Sequence, residues 1–500
     1  MTGGLPERAV PDGAERGAAV ASPAVPRPRL SFRVALGLVA VGGFLLRAVF
    51  TLATTGDDPA TGDGVYFSGQ ADALAHGLGF IDPILNQAFD LRLQAAHHPP
   101  LYVVYLALAQ KVVGDSPELL RLATSLAGLA MIVVVGLVGR RIAGERAGLI
   151  AAVVAALYPN LWANDPLLLS EPLYGLMIAL VLLCAYRLWD DPRPREAAVL
   201  GLVLGLATLT RAEALLLFVI LALPLVLLCR QLDKVARAVL VAVVFATGAF
   251  VMAPWVGHNL YRFNQPVTLS YGLAGVLTQA NCDRTYEGEY LGYWHPDCSF
   301  LDETLGPSAQ QCLRTPARCA EIYGARFGDE SDAAKLGQQE GLDYISAHRG
   351  RVPVVVAARV GRIWGLFRPG QQVRIDAVGE GRPLWVSRLA LITFYELVAV
   401  GAVGLWLLRK RKVPILPLVS MAVLVTAVAA IAIPVTRYRV PVEVALAVLA
   451  GVVGDQCLTW WRARRRAGAR PAGAAGRTAT GEAAETDGPT TPAAAEAARA

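Results

Sequence analysis

Apolar residues in this chain collect in long runs separated by short polar breaks. The runs cover about 34–54, 118–139, 146–162, 171–189, 196–210, 213–229, 238–256, 388–408, 413–433 and 441–459. Most of them reach the ~20 residues a helix needs to cross a hydrocarbon core about 30 Å thick. Runs of this kind satisfy their backbone groups within lipid only as helices. The short alternating segments of a membrane barrel are absent. The pattern therefore predicts an all-α polytopic membrane protein with about ten transmembrane helices.

Two shorter patterns lie between the first and second runs. Leu101–Val113 is too short to span and is bounded by His97-His98-Pro99-Pro100 and Gly114-Asp115-Ser116-Pro117. Prolines suit a first helical turn, so this stretch predicts an interfacial helix. Phe67, Ala71, Leu74 and Leu78 recur at helical spacing and predict a second one. The first loop, 55–117, thus reads as two surface helices.

Composition agrees with the pattern: of 500 residues, 55% are hydrophobic and 17% charged, and mean hydropathy is +0.46. Soluble domains carry nearer a quarter charged residues. The net charge of +6 does not point to nucleic acid, because the basic residues flank the apolar runs. Arg27, Arg29 and Arg33 precede the first run. Arg140-Arg141, Arg193 with Arg195, Arg230 with Lys234 and Arg237, Arg409 to Lys412, and Arg462 with Arg464 to Arg466 flank others. With the N-terminus cytoplasmic, ten spans put every one of these clusters inside. Asp57, Asp58, Asp63, Asp72, Asp82, Asp90 and the segment 257–387 then face out, and both termini are cytoplasmic. Residues 1–33 and 461–500 are rich in small and polar residues and have no core-forming pattern. The chain divides into an N-terminal tail, a membrane core at 34–256 with its first outer loop, the extracytoplasmic segment 257–387, C-terminal helices at 388–460 and a C-terminal tail.

Cysteine placement fits that topology. Cys282, Cys298, Cys312 and Cys319 all fall in the outer segment and predict two disulfides, with three pairings open. Their spacing does not match a zinc module. Cys184, Cys229 and Cys457 lie in or beside spans and read as ordinary buried residues.

Candidate chemistry gathers at the outer ends of the spans. Asp63 opens Asp63-Gly64-Val65-Tyr66, and His97-His98-Pro99-Pro100 follows on the same loop. Asn164, Asp165 and Ser170-Glu171-Pro172 lie between the third and fourth spans. Thr210-Arg211-Ala212-Glu213 forms a helical-hairpin turn. Trp255, His258 and Asn259 close the seventh span, and Arg437-Tyr438-Arg439 precede the last. Ionisable groups at membrane depth are costly and mark sites by default. Glu171 also suits a helix N-terminus, Arg211 and Glu213 suit a mutual pair, and Arg437 and Arg439 suit interfacial anchors. Arg47, inside the first span, calls for a buried outer-loop acid as partner. Tyr271, Tyr286, Tyr290 and Trp294 offer either a sugar platform or the core of the outer segment. A carboxylate takes a proton from an attacking hydroxyl, and arginines neutralise a departing phosphate. No Walker loop or dinucleotide fingerprint follows a strand.

The order of these motifs resembles the GT-C superfamily of integral membrane glycosyltransferases. It runs from the first-loop Asp63 through Ala73-Leu74 with Gly77-Leu78-Gly79-Phe80 to His98-Pro99-Pro100-Leu101-Tyr102. It continues with Gly139-Arg140-Arg141, Ser170-Glu171-Pro172, Thr210-Arg211-Ala212-Glu213 and Arg437-Tyr438-Arg439-Val440-Pro441. Within the superfamily it is most similar to family 39, with protein O-mannosyltransferases and lipid A aminoarabinose transferases. The resemblance covers about 34–260 well and 388–445 more loosely. It implies inverting transfer from a polyprenyl-phosphate-linked sugar to a lipid, glycan or protein acceptor at the outer face of the cell membrane; the Ala-, Arg-, Gly- and Val-rich composition suggests mannose or arabinose donors. Asp63 would be the acceptor base. His98 would bind substrate, and Arg437 and Arg439 would sit by the donor phosphate; His97, Glu171, Arg211 and Glu213, by their place at the outer span ends, are further substrate-binding candidates. The family often has Asp-Glu where this chain has Asp63-Gly64, which leaves open any divalent metal that needed the second carboxylate. A transporter or lipid flippase is the competing class, but it favours internal repeats and mid-membrane helix breaks. A non-catalytic envelope scaffold would instead place its important residues in 257–387.

Overall fold

The computed structural model describes residues 30–55, 62–295, 298 and 329–468. Among them are helices and turns, with a single isolated bridge between Ile81 and Gln94 and no strand. The helices are α1 (Phe32–Thr55), α2 (Asp63–Ala75), α3 (Pro83–Phe89), α4 (Leu101–Val113), α5 (Pro117–Ala143), α6 (Glu145–Leu157), α7 (Glu171–Asp190), α8 (Pro194–Thr210), α9 (Leu223–Leu227), α10 (Lys234–Arg262), α11 (Gly272–Gln279), α12 (Asp283–Tyr286), α13 (Glu330–Ala347), α14 (Val352–Ile363), α15 (Pro369–Glu380), α16 (Leu384–Lys410), α17 (Leu416–Ile431) and α18 (Val440–Gly468).

Six of these, α1, α5, α7, α10, α16 and α18, are long and apolar enough to cross a membrane. The remaining four expected spans are present as shorter or broken helices. Helix α6 ends at Leu157, and the chain turns by 74° into two 3-10 turns that start at Pro159, so the run 146–162 is a bent element. The run 213–229 breaks into a 3-10 turn (Ala212–Leu215), a π turn (Phe218–Ala222) and α9. Helix α8 has 17 residues and α17 has 16.

Local signals set the boundaries. Ser116 accepts a hydrogen bond from Leu119 N, Pro117 occupies the first turn of α5, and Arg140 and Arg141 close its last turn. Cap, proline and terminal cations each match the helix's unpaired end groups and dipole. The first loop carries α2 and α4 as expected, and also α3, capped by Asp82 through Leu85 N at 2.7 Å. Leu78 falls beyond α2, which ends at Ala75 because Gly77 takes φ +80°.

The core sits among α5, α6, α7, α8 and α18. Helices α5 and α6 approach closely because their seam is glycine: a Cβ on Gly148 would lie 2.4 Å from the Gly136 carbonyl oxygen. Without a hydrophobic force between helices in lipid, such small-residue seams maximise van der Waals contact.

Arg47 does meet a buried acid. Its Nη1 donates to both carboxylate oxygens of Asp165 at 2.9 Å, and neither side chain is exposed. The pair ties α1 to the linker between α6 and α7. Removing one partner strands a buried charge, at a cost of about 3–5 kcal/mol, whereas an apolar replacement of both is tolerated. Asp165→Ala should therefore lower the unfolding temperature sharply in detergent. The double variant Arg47→Met with Asp165→Leu should recover most of the loss by scanning fluorimetry.

Candidate functional site

The 3-10 turn Thr436–Arg439, just before α18, carries Arg437 into the centre of a cluster. The segment 257–387 holds that turn. Asp376 on α15 accepts from Thr436 N at 3.1 Å and from Tyr293 Oη at 2.9 Å. Gln372 donates to the Pro434 carbonyl at 3.0 Å. Arg437 Nη2 donates to Asp63 Oδ2 at 2.5 Å, and Nε lies 3.2 Å from Glu380 Oε1 and 3.6 Å from Glu171 Oε1.

Each carboxylate comes from a helix end. Asp63 is the first residue of α2, and Gly62 before it takes φ +54°, a conformation that favours glycine. Glu171 is the first residue of α7 and is buried. The N-terminal dipole favours both charges. Glu380 is the last residue of α15.

Arg211, at the C-terminal cap of α8, forms the second cationic centre. Its Nη1 reaches Glu171 Oε1 at 2.7 Å and its Nε reaches Glu213 Oε1 at 2.5 Å. The two guanidiniums share the Tyr438 ring, with Arg211 4.4 Å and Arg437 5.5 Å from its centroid. Glu171 thus bridges the cations, and Arg211 and Glu213 pair as expected while also joining the cluster.

His97 and His98 pack beneath α2. His98 stacks on Phe67 at 4.3 Å, and Tyr66 lies 5.2 Å from His97. Gly272 keeps this wall close, since a Cβ there would meet the His97 carbonyl oxygen at 2.6 Å. Burial depresses both imidazoles, His98 to about 3 with His97 contributing, so both are neutral at pH 7. Burial would raise the Asp63 carboxyl, but the Arg437 guanidinium, through its charge and its hydrogen bond, acts with the neighbouring His98 and His97 to hold the group below the usual carboxylate range. The Asp63 side chain stays 33% exposed, open to an incoming molecule. Burial pushes Glu380 the other way, against the pull of Arg437.

Several buried polar atoms here have no hydrogen-bond partner among the described residues: Arg437 Nη1, Glu171 Oε2, Tyr174 Oη and His98 Nε2. Buried polar groups are ordinarily satisfied, and such a set marks a place for polar ligand atoms. The three carboxylates converge on Arg437 rather than on one another. A divalent cation at Asp63, Glu171 and Glu380 would have to displace that guanidinium.

Arg439 is not brought to this cluster. Its guanidinium bonds the carbonyls of Ile363 and Arg362 and lies over Phe394 at 4.3 Å. Trp255 and Asn259 bond the carbonyls of Leu269 and Thr268, while His258 is exposed. Tyr286 is buried in the segment 257–387 and donates to Asn281 Oδ1. Cys282 pairs with Cys298. Cys312, Cys319, Asp57 and Asp58 lie outside the described residues.

Sequence reasoning missed Glu380, Arg382 and Glu443. Glu443 accepts from Tyr158 at 2.8 Å and from Asn160 at 2.8 and 2.9 Å. Arg382 donates to Asn160 Oδ1 at 3.1 Å, joining this second buried network. An acid inside an apolar span was a readable signal for Glu443. Glu380 and Arg382 carried none, because only folding brings the stretch after α15 to Arg437 and to Asn160.

Residues 97–258 match the family model described as dolichyl-phosphate-mannose-protein mannosyltransferase. That match agrees with the family resemblance drawn from the motifs. The oligosaccharyltransferase AglB of Archaeoglobus fulgidus, solved with an inhibitory peptide and a dolichol-phosphate, is 15% identical. The alignment covers 86% of this chain and 52% of AglB, with a TM-score of 0.46. ArnT of Cupriavidus metallidurans bound to undecaprenyl phosphate is 14% identical, with 84% and 78% covered and a TM-score of 0.40. The chain spans about half the length of AglB. No curated protein matches the chain in sequence.

Proposed function

We propose that this chain, GT-C-like in its motifs and in the family match over 97–258, is a membrane glycosyltransferase. In this reading it moves a sugar from a polyprenyl-phosphate donor to an acceptor at the outer face of the cell membrane, with inversion. The observation that carries the reading is Arg437, a buried guanidinium shared by three carboxylates and with Nη1 still unpartnered.

The donor phosphate takes Arg437 and Arg211, bidentate geometry giving the strongest charge-assisted contacts. As Arg437 turns to the phosphate, its hold on Asp63 weakens and the carboxylate regains basicity. Asp63 then accepts the proton of the acceptor hydroxyl. The hydroxyl oxygen bonds to the anomeric carbon from the face opposite the phosphate. The anomeric carbon–oxygen bond breaks, and polyprenyl phosphate leaves with the electron pair, neutralised by the two arginines. Neutral His97 and His98 line the acceptor side and orient hydroxyls by hydrogen bonding. Glu171 and Glu213 hold Arg211 in place. Arg439 serves the turn, through the α14 carbonyls, rather than the phosphate.

The test is an assay of membranes carrying the protein with radiolabelled polyprenyl-phospho-sugars, mannose and arabinose first. Label should move to an acceptor only when the protein is present. Movement of intact labelled lipid across liposomes, with no sugar released from the carrier, would instead identify a flippase.

A further inference from the structure

Arg382, in the short joint between α15 and α16, is a buried cation that the proposed reaction does not use. The residue is 5% exposed. Its Nη1 donates to Asn160 Oδ1 at 3.1 Å. Nε and Nη2 are buried with no hydrogen-bond partner among the described residues. These two nitrogens share one edge of the planar guanidinium, the edge that grips two oxygens of a phosphate or carboxylate at once. Among the described residues no carboxylate forms an ion pair with that edge. A buried charge held only by a neutral amide is costly, and the missing partner is an anion.

The guanidinium is aimed rather than neutralised. Asn160 Nδ2 donates to both oxygens of Glu443, at 2.9 and 2.8 Å, and Tyr158 Oη donates to the same acid at 2.8 Å. With Nδ2 committed to the acid, Asn160 Oδ1 is left to orient Arg382. The same amide ties Arg382 to the reaction centre, because Nδ2 lies 3.4 Å from the carbonyl oxygen of Thr436, the neighbour of Arg437. Glu380, two residues before Arg382, lies 3.2 Å from Arg437 Nε. Burial raises the Glu380 carboxyl, and Arg437 and Arg382 both draw it back, so the two guanidiniums act on one acid. An apolar wall adjoins the joint. Phe50 packs edge-on against Trp162 at 4.7 Å and Trp385 at 6.5 Å, and Trp385, three residues beyond Arg382, is 59% exposed. An unpartnered cation beside an exposed aromatic surface fits an anion that carries an apolar chain.

We propose that Arg382 binds the phosphate of the lipid-linked donor beside Arg437, through the paired Nε and Nη2 donors, with Asn160 and Glu443 as its positioning residues. The inference rests on the glycosyltransferase reading, which supplies the lipid phosphate.

Full-length protein purified in detergent should bind undecaprenyl phosphate more tightly than undecaprenol, which lacks the phosphate. In Arg382→Gln, affinity for undecaprenyl phosphate should fall by about ten- to hundredfold, the range for hydrogen bonds to a charged group. Affinity for undecaprenol should stay as in wild type. Equal weakening of both lipids would reduce Arg382 to a structural role and overturn the assignment. Arg382→Lys decides the question if the glutamine variant does not fold: charge is kept but the paired edge is lost, so the preference for the phosphate should again drop. A wild-type preference retained in the folded variant removes this inference alone. Equal binding of the two lipids by wild type removes the lipid-phosphate reading and this inference with it.

Discussion

Asp63→Asn should abolish sugar transfer while leaving the protein folded. The amide keeps the size of the carboxylate and can still accept a bond from Arg437, but it cannot take a proton. Loss of a positioned general base costs about 10²–10⁴-fold in rate. The loss should fall on kcat, because the donor phosphate is held by other groups, and elution from a sizing column should not change. Transfer at the wild-type rate by folded Asp63→Asn would sink the assignment. The same geometry constrains the pH profile. Arg437 keeps the free Asp63 carboxyl ionised to below its ordinary pKa of about 4. Acid loss of kcat/KM between about pH 5 and 7 therefore should not arise from Asp63 in the free enzyme. Burial depresses His98 to about 3, so the loss should not arise from His98 either.

Arg437→Lys should be the second severe variant, with transfer reduced about 10²–10³-fold, the range seen when one donor to a developing charge is lost. Charge is conserved, but an ammonium is a point charge and lacks the planar fork that reaches Asp63, Glu380 and Glu171 together. It also cannot present two parallel donors to a phosphate. Lysine is the informative replacement because a neutral residue would leave Glu171 and Glu380 buried without their cation, and misfolding would then confuse the result. Single-turnover rates at saturating donor, on protein checked for monodispersity, measure the effect. Arg439→Lys offers the contrast. Its guanidinium bonds the α14 carbonyls and does not face the cluster, so that substitution should act on stability before it acts on rate.

Much of the site was readable before folding. Asp63, Glu171, Arg211, Glu213 and Arg437 were selected because ionisable groups at the ends of apolar runs need a reason to be there. The fold brings these five together, with the histidines packed alongside. Arg439 shows the limit of that reasoning: two residues from Arg437, the side chain points to the other side of the turn, and charge in sequence does not reveal the direction. The span count shows another limit. Apolar composition marked the runs 146–162 and 213–229, but not that Pro159 bends one by 74° and a π turn interrupts the other.

The sequence by itself determined the membrane class, the helix-rich architecture and most of the acidic and basic residues that cluster at the ends of the apolar runs. Those follow from hydrophobic periodicity and charge placement, which are local properties. Only the tertiary structure decided that Asp376 and Gln372 on α15 pin the turn carrying Arg437, and that Glu380 completes its carboxylate shell. These contacts join residues about sixty positions apart. No spacing along the chain encodes them, because they exist only once the segment 257–387 packs back onto the helix ends.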